Sequence, residues 1–255
     1  MILTDTHTHL YSKEFDADRE EAIKKAIEKG ITRFFIPAID SSHTLSMYDL
    51  EAQFPDNVFL MMGLHPTSVK ENFEEELKHI EAQFKERDFY AVGEIGIDLY
   101  WDKTLLKEQQ VAFKRQMQLA KSKNLPIVIH CRDAFDEVFE VLESEKGEEL
   151  FGIFHCFTGN KEQALKAISY NMKLGIGGVV TFKNGGLDKF LAEIPIEHIV
   201  LETDAPYLAP APYRGKRNES AHIQIIAEKI ATLYGLSLEE VAAITTKNSK
   251  DIFGV

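Results

Sequence analysis

Five of the nine histidines fall at or just beyond the C-terminal end of a short apolar run. They are His7 and His9 in THTHL, His65 in GLHP, His130 in PIVIHC and His155 in GIFHCF. Glu94, inside AVGEIGI, and Asp204, after HIVLE, hold comparable places. Imidazole and carboxylate donors without a thiolate suit a hydrolytic site for zinc, manganese or a related divalent ion. The set is too large for one ion. Two ions about 3.5–4 Å apart, sharing a bridging carboxylate, would activate a water and neutralise charge developing on a substrate. Glu94 is the natural bridge, with His7, His9 and Asp204 on one side and His130 and His155 on the other. Glu94 and Asp204 are therefore the expected catalytic carboxylates, Asp204 also serving as proton acceptor. His65 is expected to touch the substrate. His43, His79, His198 and His222 read as ordinary hydrogen-bonded histidines.

Something must bring these distant positions together. Eight short runs rich in Ile, Val and Phe recur at fairly even intervals: near Ile2, Phe35, Leu60 and Val92, then from Pro126, Gly152, Lys173 and His198. Between them lie polar stretches of helical period, such as DREEAIKKAIEKG, which ends on a glycine as a helix stop. Near-continuous apolar strands alternating with amphipathic helices predict a parallel sheet covered by helices. Eight such units in 255 residues predict an α/β fold, a (β/α)8 TIM barrel, with a doubly wound open sheet as the alternative. The ring residues are spaced by one or two βα units, so a barrel gathers them on its C-terminal face. Residues 1–255 read as a single domain, because no Ser/Gly spacer, charge block or low-complexity tract divides them. Two stretches read as long functional loops: LYWDKTLLKEQQ after Ile97 and APYLAPAPYRGKRNESAH after Asp204. SLEEVAAITTKNSKDIFGV reads as one or two helices completing the outer ring.

The formal net charge is −12, from 41 acidic and 29 basic residues, so the protein as a whole repels polyanions. Any anionic substrate must be held locally, by metal ions and by cations of the loops. The run RGKR supplies Arg214, Lys216 and Arg217, which suit phosphate steering, and Arg132 beyond the fifth strand is a further candidate contact. Lys183 and Asn184 could extend that patch, and Trp101, Tyr207 and Tyr213 could offer faces for base stacking. The chain has 44% hydrophobic residues and two cysteines, Cys131 and Cys156. That composition excludes disordered and disulfide-scaffold classes, and the cysteines read as buried and reduced. No apolar run is long enough to span a membrane and the N-terminus lacks a secretory pattern, so the expected location is cytoplasmic.

Taken together, THTHL, GLHP, GEIGID followed by YW, IHCRDA, FHCFTG and ETDAPYLAP with RGKRNE resemble the TatD family of metal-dependent deoxyribonucleases. The likeness spans nearly the whole chain, although THTH alone recurs across the wider amidohydrolase superfamily. The resemblance implies a barrel hydrolase with a divalent-metal centre, acting on DNA, often as an exonuclease from the 3′ end. It implies ligand roles for His7, His9, Glu94, His130, His155 and Asp204, and a phosphate or substrate role for His65. Two positions depart from the pattern: Ser220 stands where proline is usual, and Cys131 where serine is common. Phosphotriesterase-like relatives often bridge their metals with a carboxylated lysine, where this chain has Glu94.

The first expectation is therefore a phosphodiesterase holding two divalent ions, Mg²⁺, Mn²⁺ or Zn²⁺. Its substrate would be DNA that is single-stranded or presents a 3′ end, with no membrane and no obligate protein partner. The second keeps the metals and changes the bond, to an ester or amide such as that of a D-aminoacyl-tRNA. The third is a binding protein with a relic metal site, which the complete ligand set disfavours.

Overall fold

The computed structural model describes residues 1–255. Eight parallel strands form in the expected places: β1 Leu3–Asp5, β2 Ile31–Pro37, β3 Val58–Met61, β4 Val92–Asp98, β5 Ile127–Arg132, β6 Gly152–Phe154, β7 Met172–Ile176 and β8 Ile199–Leu201. Continuous ladders join β1 to β3 and β4 to β8. A bridge between Met62 and Val92 links the two runs, reinforced where Gly93 N–H donates to the Met62 carbonyl at 3.1 Å. On the opposite seam Thr6 N–H donates to the Leu201 carbonyl at 3.0 Å, which brings β8 against β1. The result is the (β/α)8 barrel. Every residue of β4 is buried, as expected of a parallel strand covered on both faces.

Helices α1 Arg19–Glu28, α2 Thr44–Gln53, α3 Phe73–Glu86, α4 Leu106–Lys123, α5 Phe135–Glu145 and α6 Lys161–Ser169 follow the first six strands in turn. The regular alternation then breaks. Between β7 and β8 the chain makes only short 3-10 turns, and two helices, α7 Ile223–Tyr234 and α8 Leu238–Phe253, come after β8 instead. The expectation of a helix after every strand fails here for a local reason. Gly177, Gly178, Gly185, Gly186 and Pro195 punctuate the connection, and no stretch between them is long enough to repay helix nucleation. The stretch after Ile97 also divides, because β4 extends to Asp98 and α4 begins at Leu106. The C-terminal helix is single, opened by a capping box in which Ser237 and Glu240 satisfy each other's backbone N–H groups. No helix is long and apolar enough to cross a membrane.

Two glycines are demanded by close approach near the site. A Cβ on Gly96 would lie 2.0 Å from the His130 carbonyl oxygen, and one on Gly175 would lie 2.2 Å from Glu202 Oε2. The first lets β4 and β5 pair beside Glu94. The second leaves room for a carboxylate beneath His155.

Candidate metal centre

His7 and His9 leave β1 with their rings inside the barrel mouth, each almost fully buried. The loop carrying them is held by backbone bonds, His9 N–H to the Ala205 carbonyl at 2.7 Å and Asp204 N–H to the His7 carbonyl at 2.9 Å. Between the two histidines, the Thr8 hydroxyl meets that of Ser220 at 3.3 Å, so the residue that departs from the expected proline braces the histidine loop. Asp204 and Cys156, just past β8 and β6, adopt left-handed conformations at φ 57° and φ 44°. Each such residue costs on the order of 1–3 kcal/mol, and strain of this kind concentrates at functional sites.

Glu94 stands at the centre, and its two oxygens divide the histidines. Oε2 lies 3.1 Å from His7 Nε2 and 3.6 Å from His9 Nε2. Oε1 lies 2.8 Å from His130 Nδ1, 3.3 Å from His65 Nε2 and 3.6 Å from His155 Nε2. Asp204 Oδ1 is 3.5 Å from His9 Nε2, 3.8 Å from His155 Nε2 and 3.9 Å from His7 Nε2. The structure thus brings together all seven ring residues singled out in the sequence. Several triads among them are close enough to share a metal ion: His7, His9 and Glu94; His7, His155 and Asp204; and His65, Glu94 and His130.

Hydrogen bonds on the far side of the His9, His130 and His65 rings fix which nitrogen is free, whereas the buried His7 Nδ1 has no partner. The Tyr11 hydroxyl donates its one proton to the Pro37 carbonyl at 3.0 Å, so it accepts from His9 Nδ1 at 3.1 Å and leaves Nε2 with a lone pair facing the site. His130 Nε2 donates to Asp98 Oδ2 at 2.9 Å, which turns its Nδ1 toward Glu94. His155 Nδ1 stands 3.0 Å from Glu202 Oε1, an ion-pair contact whose angle falls short of a hydrogen bond, and its Nε2 points inward. His65 is different. Its Nδ1 accepts the Thr67 backbone N–H at 3.1 Å, so in the neutral ring Nε2 carries the proton and is a donor rather than a ligand. Carboxylates behind metal-binding imidazoles set tautomer and basicity in this way. Asp98 and Glu202 were missed as functional residues in the sequence. Each carried a signal, since Glu202 alternates with Asp204, and Asp98 lies on β4 in step with Glu94, carboxylates where an apolar residue would suit a core.

The donors fit metal ions. Ligand atoms about 2.1 Å from an ion in tetrahedral array lie about 3.4 Å from one another, which the separations around Glu94 and Asp204 approach. Glu94 Oε1 and His130 Nδ1 face each other at 2.8 Å, a separation that needs a proton or a metal ion between them. Burial opposes charge on His155, but Glu202, Glu94 and Asp204 outweigh it and raise its pKa. Burial likewise opposes charge on His130, which Asp98 and Glu94 overcome. Burial keeps His65 below its ordinary value despite Glu94.

A cleft of about 860 Å³ opens above the centre, lined among others by His65, Trp101, Arg132, Tyr207, Arg214 and Lys216. Arg132 lies 3.7 Å over the Tyr100 ring and Arg214 lies 3.6 Å over the Phe182 ring. Neither guanidinium has a carboxylate partner, so both charges remain available to an anion. Arg217, expected at the substrate, faces elsewhere: it grips Asp18 through two bonds of 2.6 and 2.7 Å and pins the basic loop to α1. Tyr213 stacks on His222 at 4.4 Å and, with Arg217, lines a neighbouring cavity instead. Lys183 and Asn184 are exposed and line neither cavity. His43 bonds Asp40 at 2.9 Å and His79 bonds Thr44 at 2.9 Å, as ordinary structural histidines do. Burial pushes both cysteine thiols upward, which leaves them protonated and unreactive.

Comparison with known proteins accords with this site. A family model described as "TatD related DNase" matches residues 4–254. An uncharacterized metal-dependent hydrolase of Bacillus subtilis, YabD, is 38% identical over 255 residues, covering 100% of both chains. A protein of Pantoea ananatis named 3′-5′ ssDNA/RNA exonuclease TatD is 30% identical over 257 residues, covering 98% of this chain and 99% of its own. The crystal structure of YJJV, a TatD homolog from Escherichia coli, superposes with a TM-score of 0.93 at 26% identity, covering 99% of this chain and 98% of that one. Fold, site and relatives agree that the chain belongs to the TatD-related DNase family of metal-dependent hydrolases.

Proposed function

We propose that the protein hydrolyses phosphodiester bonds of DNA, removing nucleotides from a single-stranded 3′ end. The observation that carries this reading is the pairing of a Glu94-centred donor ring with two unpaired guanidiniums, Arg132 and Arg214, at the mouth of the same cleft. In a chain of net charge −12, such local cations serve an anionic substrate. The Pantoea relative's name, with its 3′-5′ polarity and single-stranded substrate, supports the same reading.

In this proposal His7, His9 and Asp204 would hold one divalent ion and His130 and His155 a second, with Glu94 contributing to both. Bound there, the two ions supply Lewis acidity and lower the pKa of water. The chain's own residues do the rest. Asp204 is kept ionised against its burial by the histidines around it, so it can accept a proton at Oδ1. His65 Nε2–H, fixed by Thr67, donates to a non-bridging phosphate oxygen. Arg132 and Arg214, with Lys216, orient the phosphates on either side of the scissile bond.

Metal loading should release protons. Without metal, burial works against the His155 charge but Glu202, Glu94 and Asp204 push its pKa up to about 10, so it is protonated at neutral pH, and ligation requires the free base. About one proton should leave per protein at pH 7, read by titration calorimetry in buffers of different ionisation enthalpy. The release should fall as pH rises through the raised imidazole values. Binding with no proton release would contradict the ligand assignment.

The bond cleaved is tested by offering single-stranded DNA and a D-aminoacyl-tRNA side by side to the metal-loaded protein. Preferential DNA hydrolysis, lost on Arg132→Ala and Arg214→Ala together, is the expected result. A strong preference for the acyl ester would replace the nuclease by an esterase on the same metals.

A further inference from the structure

The most exposed aromatic ring at the mouth of the cleft is one that packing does not explain. Trp101, the chain's single tryptophan, is 70% exposed and lines the cleft. The other candidates are more committed: Arg132 covers the Tyr100 ring at 3.7 Å, Tyr213 lies against His222, and Tyr207, half-exposed, meets His9 edge to face at 6.1 Å. Trp101 meets Tyr100 edge to face at 4.9 Å, which buttresses the indole without covering it.

Its position is not left to a loose loop. Asp98 Oδ1 accepts the backbone N–H groups of Tyr100 at 3.0 Å and Trp101 at 3.3 Å, while its Oδ2 accepts from His130 Nε2 at 2.9 Å. One buried carboxylate therefore ties the indole-bearing turn to a residue at the heart of the donor ring. The Arg132 guanidinium stands over one face of the indole, 5.6 Å from the ring centroid and without an ion-pair partner, and at 70% exposure the indole keeps room for a second partner. An open π face next to an uncommitted cation matches a nucleotide, whose base stacks while its phosphate meets the guanidinium.

We propose that Trp101 is a stacking subsite for an unpaired nucleobase next to the scissile phosphodiester, and that Tyr100, Arg132 and Asp98 hold it in place. The inference rests on the nuclease reading and adds a source of strand specificity. A base inside a duplex is covered on both faces by its neighbours and held by its pairing partner, so it can reach the indole only after leaving the stack. An unpaired base near a strand end reaches it directly.

The test compares wild type, Trp101→Ala and Trp101→Phe on a single-stranded oligonucleotide and on the same strand with abasic sites over its terminal positions. Trp101→Ala is expected to raise KM about tenfold on the strand that bears bases, with kcat nearly unchanged, and to leave KM on the abasic strand unaltered. Trp101→Phe, which keeps a π face, should recover most of the loss. A second readout does not depend on turnover: Trp101 emission should be quenched by a hydrolysis-resistant phosphorothioate strand and not by its abasic counterpart. Equal KM ratios for wild type and Trp101→Ala on the two strands, or equal quenching by both, would overturn the subsite and leave the nuclease standing. If wild type hydrolyses neither strand, the nuclease reading fails, and selective quenching by the base-bearing strand would still uphold the subsite.

Discussion

Replacing Glu94 with Gln is expected to lower kcat/KM for DNA hydrolysis by at least about a thousandfold while the barrel stays folded. The substitution is nearly isosteric, so the buried volume on β4 is kept. What is lost is one negative charge at the point where five imidazoles converge. Both carboxylate oxygens face histidine nitrogens, Oε2 toward His7 and His9 and Oε1 toward His130, His155 and His65. A neutral amide cannot bridge two cations, and its NH2 group would face a nitrogen lone pair or an ion. Circular dichroism with kinetics separates the two effects. Wild-type turnover in a folded Glu94→Gln variant would remove Glu94 from the bridging position.

The second large effect concerns a residue that touches no metal in the proposed scheme. Asp98→Asn should weaken divalent-ion binding by about 10–100-fold, measured by competition with a chelator. Asp98 accepts the His130 Nε2 proton, and so keeps Nδ1 free to face Glu94. An amide in its place can offer N–H groups to Nε2, which favours the opposite tautomer and puts the proton on the wrong nitrogen. Glu202→Gln should act in the same direction through His155, which it approaches at 3.0 Å. Unchanged metal affinity in both variants would show that the carboxylates serve packing alone.

The sequence made the strands and the ring legible for one physical reason. A parallel barrel needs apolar strands of period two, and polar groups placed at their C-terminal ends have nowhere to go but one face. His7, His9, His65, Glu94, His130, His155 and Asp204 could therefore be grouped without coordinates. An average βα repeat predicts a helix between β7 and β8, where the glycines forbid one. The charge pattern of RGKR groups Arg217 with its neighbours, but it does not say which way a side chain turns. Arg214 lies over Phe182 in the cleft, while Arg217 is captured by Asp18. The sequence already sets His65 apart from the ligands as an expected substrate contact, but the Thr67 backbone N–H that settles its tautomer is visible only in the structure.

The most direct measurement of the central claim uses single-stranded DNA labelled at its 3′ or 5′ end, given to metal-stripped protein refilled with Mg²⁺, Mn²⁺ or Zn²⁺, with His130→Ala alongside. The expected result is loss of the 3′ label first, dependent on added metal and absent from the variant. An intact strand in the presence of protein shown to hold two ions would contradict the nuclease assignment and turn attention to acyl esters.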